Sequence, residues 1–131
     1  MKSTIQIDRR SGVPFYVQLG EQIRLLIHQG ALRTGDPLPT VRGLAVDLGI
    51  NANTVARVYR DLQVAGLLRL ERGIGTFVAD TAGGPIQRRD FQQLEKRILQ
   101  LIQLAKQSGM QATELAQFIE TRWKEADDGK G

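Results

Sequence analysis

Between Val41 and Leu62 the apolar residues fall twice into the spacing of one helical face, and a glycine separates the two runs. Val41, Leu44, Ala45 and Leu48 form the first run; Val55, Val58, Tyr59 and Leu62 repeat it. Thr40 is placed to cap the first helix, and Pro39 keeps the chain extended ahead of it. Gly49 supplies the left-handed residue that ends a helix, Asn51 caps the next, and Gly66 closes it. A helix, a tight glycine turn and a second helix make a helix-turn-helix. Two short strands follow, Gly66–Glu71 and Thr76–Ala79, joined by Arg72-Gly73-Ile74-Gly75, whose glycines permit a tight hairpin.

The second helix carries a distinctive outer face. At about 100° per residue, Asn53, Arg57 and Arg60 lie opposite the apolar side, with the small Ala52 and Ala56 beside them. Asparagine suits adenine edges, and arginine suits guanine edges or phosphates. A plain solvated face is the competing reading of any one of these side chains. The helix pair and the Arg72 loop argue for nucleic acid, since an arginine on a thin loop fits a narrow minor groove.

Leu38-Pro-Thr-Val-Arg42, Leu44-Ala45, Gly49-Ile-Asn-Ala-Asn-Thr-Val55, Tyr59-Arg-Asp-Leu62, Gly66-Leu67 and Arg72-Gly-Ile-Gly-Thr-Phe-Val78 together resemble the winged helix-turn-helix domain of GntR-type bacterial transcription regulators. The likeness spans residues 11–80. The chain departs from it at Gly43, where the family usually has an acidic or longer residue, and at Ala52, where proline is common. Gly43 is expected to weaken its helix by about 1 kcal/mol relative to alanine. The resemblance implies a DNA-contacting arginine at Arg42 and a short strand at Leu32–Pro37 that pairs with the wing.

Ahead of this motif, Ile5 and Ile7 alternate as a short strand would. Pro14 suits the first position of a helix whose stripe is Phe15, Tyr16, Leu19, Ile23, Leu26 and Ile27 and which ends at Gly30. Behind the motif, Thr81-Ala-Gly-Gly-Pro85 has the composition of a linker. Helix 88–106 then carries Phe91, Leu94, Ile98, Leu101 and Ala105 as a heptad seam, with Leu99, Ile102 and Leu104 adding apolar surface. Gln107–Met110 turns the chain into an amphipathic helix, 113–125, with Leu115, Ala116, Phe118, Ile119 and Trp123. Two such helices make a natural dimerisation hairpin, the alternative being a hairpin folded onto its own first domain.

The expected fold is therefore mainly α with a small β-hairpin wing. Residues 11–80 form a winged helix-turn-helix DNA-binding domain, 81–87 a linker, and 88–126 a C-terminal helical hairpin. GntR-type regulators differ in their C-terminal domain, and a tail of two helices resembles the YtrA type, whose tails serve chiefly for dimerisation. A tail this short is too small to enclose a pocket of ~300 Å³ in one subunit, so an effector would sit between subunits or at the junction of the domains.

Composition excludes more than it selects. The net charge of +4 permits nucleic-acid binding without demanding it. No cysteine rules out disulfide and thiolate chemistry and is compatible with the cytoplasm, the expected location. The N-terminus lacks the apolar run of a signal peptide, and no run approaches the ~18 apolar residues of a membrane span. His28 alone makes no metal site, no cofactor is implied, and no carboxylate pair or phosphate loop points to an enzyme.

The expected partner is double-stranded operator DNA, bound by a homodimer acting in transcription, repression being the commoner outcome in the family. The helix from Asn51 enters the major groove, with Asn53, Thr54, Arg57 and Arg60 at its exposed or N-terminal side. Asn51 and Thr54 also suit a phosphate at the helix start. Arg42 clamps a phosphate, and Arg72 and Gly73 reach the minor groove. Phe91, Leu94, Ile98, Leu101, Ile102, Ala105, Phe118, Ile119 and Trp123 are the expected dimer contacts. The runner-up is a winged-helix protein–protein assembly module with no sequence-dependent DNA affinity.

Overall fold

In a computed structural model, which describes residues 5–80 and 88–128, the chain separates into two units, Met1–Arg88 and Arg89–Gly131. The linker expected at 81–87 lies outside the described residues.

The first unit opens with α1, Phe15–Gln29, which buries Leu19, Ile23 and Ile27 and ends at Gly30 in the left-handed conformation. Pro14 precedes the helix as its cap rather than occupying its first turn: its ψ of 146° is extended. The helix-turn-helix follows as α2, Val41–Leu48, and α3, Ala52–Val64. The Thr40 side chain accepts a hydrogen bond from the Gly43 amide, and Asn51 does the same for Asn53. Gly49 (φ 67°) makes the turn. There the Ile50 N–H returns to the Ala45 carbonyl at 3.0 Å, satisfying an orphan carbonyl of the last turn.

Gly43 behaves differently from the expectation of a weak point. A β-carbon there would stand 2.8 Å from Thr40 Oγ1, the capping oxygen. The helix propensity gained by alanine is thus offset by disturbance of the cap, each effect being ~1 kcal/mol.

Strands β1, Leu68–Glu71, and β2, Gly75–Val78, pair antiparallel with Leu68 opposite Val78 and Glu71 opposite Gly75. The connector at 32–37 forms no strand. It meets the hairpin through the single bridge Pro37–Phe77, flanked by Leu38 N–H to Thr76 O and Val78 N–H to Asp36 O. Pro37 sits at the non-hydrogen-bonded position of this bridge, where its missing N–H costs nothing, and the Gly35 N–H adds a bond to Val78 O at 2.9 Å.

Residues 5–8 form no strand either. Their edge is satisfied by two glutamines one turn apart on α1. The Gln6 N–H donates to Gln22 Oε1 while Gln22 Nε2 donates to Gln6 O, and Gln18 pairs with Asp8 in the same way. Each side-chain amide thus replaces a neighbouring strand. Ile5 is buried in the core, so the packed unit begins ahead of residue 11. The core is α1 and α2 packed on α3, with Leu67, Leu68 and Val78 from the hairpin region closing it.

The second unit comprises α4, Arg88–Gln107, and α5, Ala112–Asp128, joined by a turn at Gly109 (φ 78°). The Met110 N–H returns to Ala105 O at the end of α4, and Glu114 Oε1 accepts the Gln111 N–H ahead of α5. None of its described side chains is buried. An apolar recess of about 670 Å³ lies between the helices, more space than the tail's length suggested for one subunit though open to solvent rather than enclosed; Ile98, Leu101, Ile102 and Ala105 of α4 and Leu115, Ala116 and Ile119 of α5 line it. Among the described residues no helix is long and apolar enough to cross a membrane.

Candidate nucleic-acid interface

Helix α3 is locked from behind. Val55, Val58, Tyr59 and Leu62 are buried along one side, which fixes its rotation and leaves the opposite stripe in solvent. Asn53, Arg57 and Arg60 are all exposed on that stripe, and Val64 extends it at the C-terminal end. Tyr59 also ties α3 to the entry of α2, its hydroxyl donating to Pro39 O at 2.8 Å. Burial pushes the Tyr59 phenol well above its ordinary pKa. Arg42 is exposed on the first turn of α2.

At the start of α3 the backbone is largely satisfied internally. Asn51 Oδ1 accepts the Asn53 N–H at 2.8 Å, and Asn51 O accepts the Thr54 N–H at 3.0 Å. This narrows the expected anion site: Asn51 is exposed and offers its Nδ2 donors, whereas Thr54 is half-buried. Arg72 and Gly73 are both exposed at the hairpin tip, with Gly73 at φ 77°.

The basic side chains divide by what holds them. Arg69, on β1, pairs with Glu71 at 3.1 Å and Asp80 at 3.6 Å and donates to Val78 O, so its donors are committed within the wing. The side chains of Arg42, Arg60 and Arg72 have neither ion pair nor hydrogen bond among the described residues. Arg57 and Arg60 on the stripe, like Arg42 on α2 and Arg72 at the hairpin tip, keep their donors uncommitted, and such donors are what phosphates and guanine edges require.

Two residues outside the helix-turn-helix contribute in ways the sequence did not show: Arg9 is not singled out there, and Tyr16 reads only as part of the apolar stripe of its helix. Arg9 Nη2 donates to the carbonyls of Leu48 and Gly49 at 3.0 and 2.7 Å, clamping the turn of the helix-turn-helix at the negative end of α2. Tyr16 lies under the Arg57 guanidinium, 3.7 Å from ring centroid to charge. Neither pairing leaves a sequence signal, because the partners are distant along the chain.

The expected dimer contacts all fall in the second unit. Leu94, Ile98, Leu101, Phe118, Ile119 and Trp123 are exposed, Trp123 at 71%, whereas Phe91, Ile102 and Ala105 are half-buried. His28 is exposed in the last turn of α1, and no metal-ligating cluster occurs among the described residues.

Residues 15–78, the span from α1 to the end of the wing, match the bacterial regulatory proteins of the gntR family. Over 126 residues the chain is 32% identical to the HTH-type transcriptional repressor YtrA of Bacillus subtilis, covering 96% of this chain and 97% of that one. The chain belongs to the GntR family. As such it is a DNA-binding transcription regulator. The solved structure of YtrA from Sulfolobus acidocaldarius, a GntR-family transcription factor, is similar with a TM-score of 0.56 and 34% identity, over 72% of this chain and 96% of that chain. The DNA-binding domain of AraR, solved in complex with operator ORX1, is similar with a TM-score of 0.51 and 33% identity over 56% of this chain and 90% of that one. The likeness to Bacillus YtrA, at 96% coverage, takes in the α4–α5 segment of this GntR-family regulator as well as its wing.

Proposed function

We propose that this GntR-family regulator binds an inverted-repeat operator as a homodimer and represses transcription by occluding it. The observation that carries the reading is the α3 stripe: Asn53, Arg57 and Arg60 exposed, unpaired with acid, on a helix whose opposite side is buried. α3 lies in the major groove. Asn53, Arg57 and Arg60 read base edges, each good contact being worth about 1–3 kcal/mol of discrimination. Arg42 and Asn51 hold phosphates, and Arg72 with Gly73 reaches the adjoining minor groove.

Residues 11–80, with the Ile5–Ile7 lead-in, serve as the DNA-binding domain, 81–87 connect, and 88–126 join two copies. The exposed apolar residues of α4 and α5 support that assignment, since apolar surface of this kind marks an interface. Repression is supported by the likeness to a named repressor. The setting is the bacterial cytoplasm, and no reaction on a substrate is part of the role. An effector would act by unequal affinity for DNA-competent and incompetent dimers.

Selection of duplexes from a randomised pool by the full-length protein tests this. The expected product is an inverted repeat with half-sites about one helical turn, ~10 bp, apart. Enrichment of a single unrepeated site would overturn the dimeric reading, and no enrichment would overturn sequence-specific binding.

A further inference from the structure

Arg57 is held differently from the other arginines of the interface. Its guanidinium stacks on the Tyr16 ring at 3.7 Å, whereas Arg42, Arg60 and Arg72 have no such support among the described residues. Asp61 follows Arg57 by one helical turn, yet no ion pair forms between them. The arginine is therefore fixed by a ring face, and its N–H donors, which lie in the guanidinium plane, remain uncommitted. An ion pair would have fixed it equally well while spending those donors and cancelling its charge.

The ring is itself well placed to do this. Tyr16 sits in the first turn of α1, half-buried against the core that α1 shares with α3. One edge of the side chain is anchored, and its face is turned to α3. The geometry points to Tyr16 as a positioning residue for base readout: it holds the Arg57 guanidinium in place before DNA arrives, so that less side-chain freedom is lost on binding. This rests on the reading of α3 as the major-groove helix.

A double-mutant cycle on the full-length protein tests it, using a duplex selected by the wild-type protein and a scrambled duplex of equal length. Tyr16→Leu keeps an apolar group against the core and removes the ring; Tyr16→Met serves if the leucine variant does not fold. In the wild-type background Tyr16→Leu is expected to weaken binding to the selected duplex about fivefold, within the range of a cation–π contact. Binding to the scrambled duplex should be unchanged, because the charge of Arg57 remains. Tyr16→Phe, which preserves the ring, should restore wild-type affinity. In an Arg57→Ala background Tyr16→Leu should cost nothing further. An equal loss in both backgrounds, or on both duplexes, would show that Tyr16 acts only through folding and would overturn the inference. If Arg57→Ala itself leaves the selected duplex bound as tightly as before, the assignment of Arg57 to base readout fails, and the role of Tyr16 with it.

Discussion

The two units of the chain solve the burial problem in opposite ways. In the first, every helix turns its apolar side onto another element, and Leu19, Ile23 and Leu44 are 0% exposed. In the second, no described side chain is buried, and Trp123, Leu104 and Leu99 stay largely in solvent. The first unit holds enough apolar surface to specify one packed arrangement and to present α3 rigidly. The second is two well-formed helices without a core of their own. Helices this exposed gain little from packing within the unit, which is the physical basis for proposing a partner surface. The proposed division of labour gives recognition to the self-sufficient region and assembly to the one that is incomplete alone.

The sharpest way to break this contrast is to hollow each region in turn. Leu44→Ala should cost about 2–5 kcal/mol of unfolding free energy in a urea titration, because a fully buried side chain leaves a cavity. A loss below ~1 kcal/mol would mean the first core is not the rigid body described. In the second unit, Ile98→Glu together with Phe118→Glu should leave that core intact. By sedimentation velocity the pair should raise the dimer dissociation constant at least thirtyfold, the scale of a ~2 kcal/mol hot spot. An unchanged sedimentation coefficient would remove α4 and α5 from the interface.

Tyr59 gives a test confined to the first unit. Its phenol is raised above the ordinary value of 10.0 by burial, so the folded state keeps the proton that the unfolded chain releases above that pH. Its contribution to stability is complete below pH 10.0 and declines as pH rises through the folded pKa. Tyr59→Phe loses the bond to Pro39 O and should cost ~1 kcal/mol at neutral pH. That deficit should shrink or reverse in alkaline urea titrations; a constant deficit would contradict the assignment.

The smallest effects concern two helical glycines. At Gly20 an added β-carbon meets only Val58 Cγ1, at 3.9 Å, so Gly20→Ala should stabilise by ~0.5–1 kcal/mol. Gly43→Ala should be close to neutral, since its β-carbon disturbs the Thr40 cap. Thermal melts of the two variants side by side distinguish a glycine that alanine improves on from one where the gain is cancelled at the cap.

The helix-turn-helix and its wing were legible in the sequence because their signals are local. Apolar spacing, Thr40 and Asn51 as caps, and Gly49 as the turn all act within a few residues. The stripe Asn53–Arg57–Arg60 followed from the same period. What escaped was whatever depends on a distant partner. The alternation of Ile5 and Ile7 resembled a strand, but its hydrogen bonds run to Gln18 and Gln22. The clamp of Arg9 on the Leu48 and Gly49 carbonyls spans about 40 residues, and the stack of Arg57 on Tyr16 joins two different helices. Gly43 is a defect by propensity alone, but its place against the Thr40 cap depends on a side chain's position and not on propensity. In the second unit the apolar seam was legible, and its residues remain exposed or half-buried in the single chain.

Fluorescence anisotropy with a selected duplex, against scrambled competitor at two salt concentrations, measures the central claim most directly: that the α3 stripe reads base sequence. Wild-type protein should keep its preference at the higher salt. Arg57→Ala should lose about 1–3 kcal/mol of that preference, and Arg42→Ala should weaken both duplexes alike and lower the salt slope by about one. Equal, steeply salt-dependent affinity for both duplexes, unaltered by Arg57→Ala, would contradict the account.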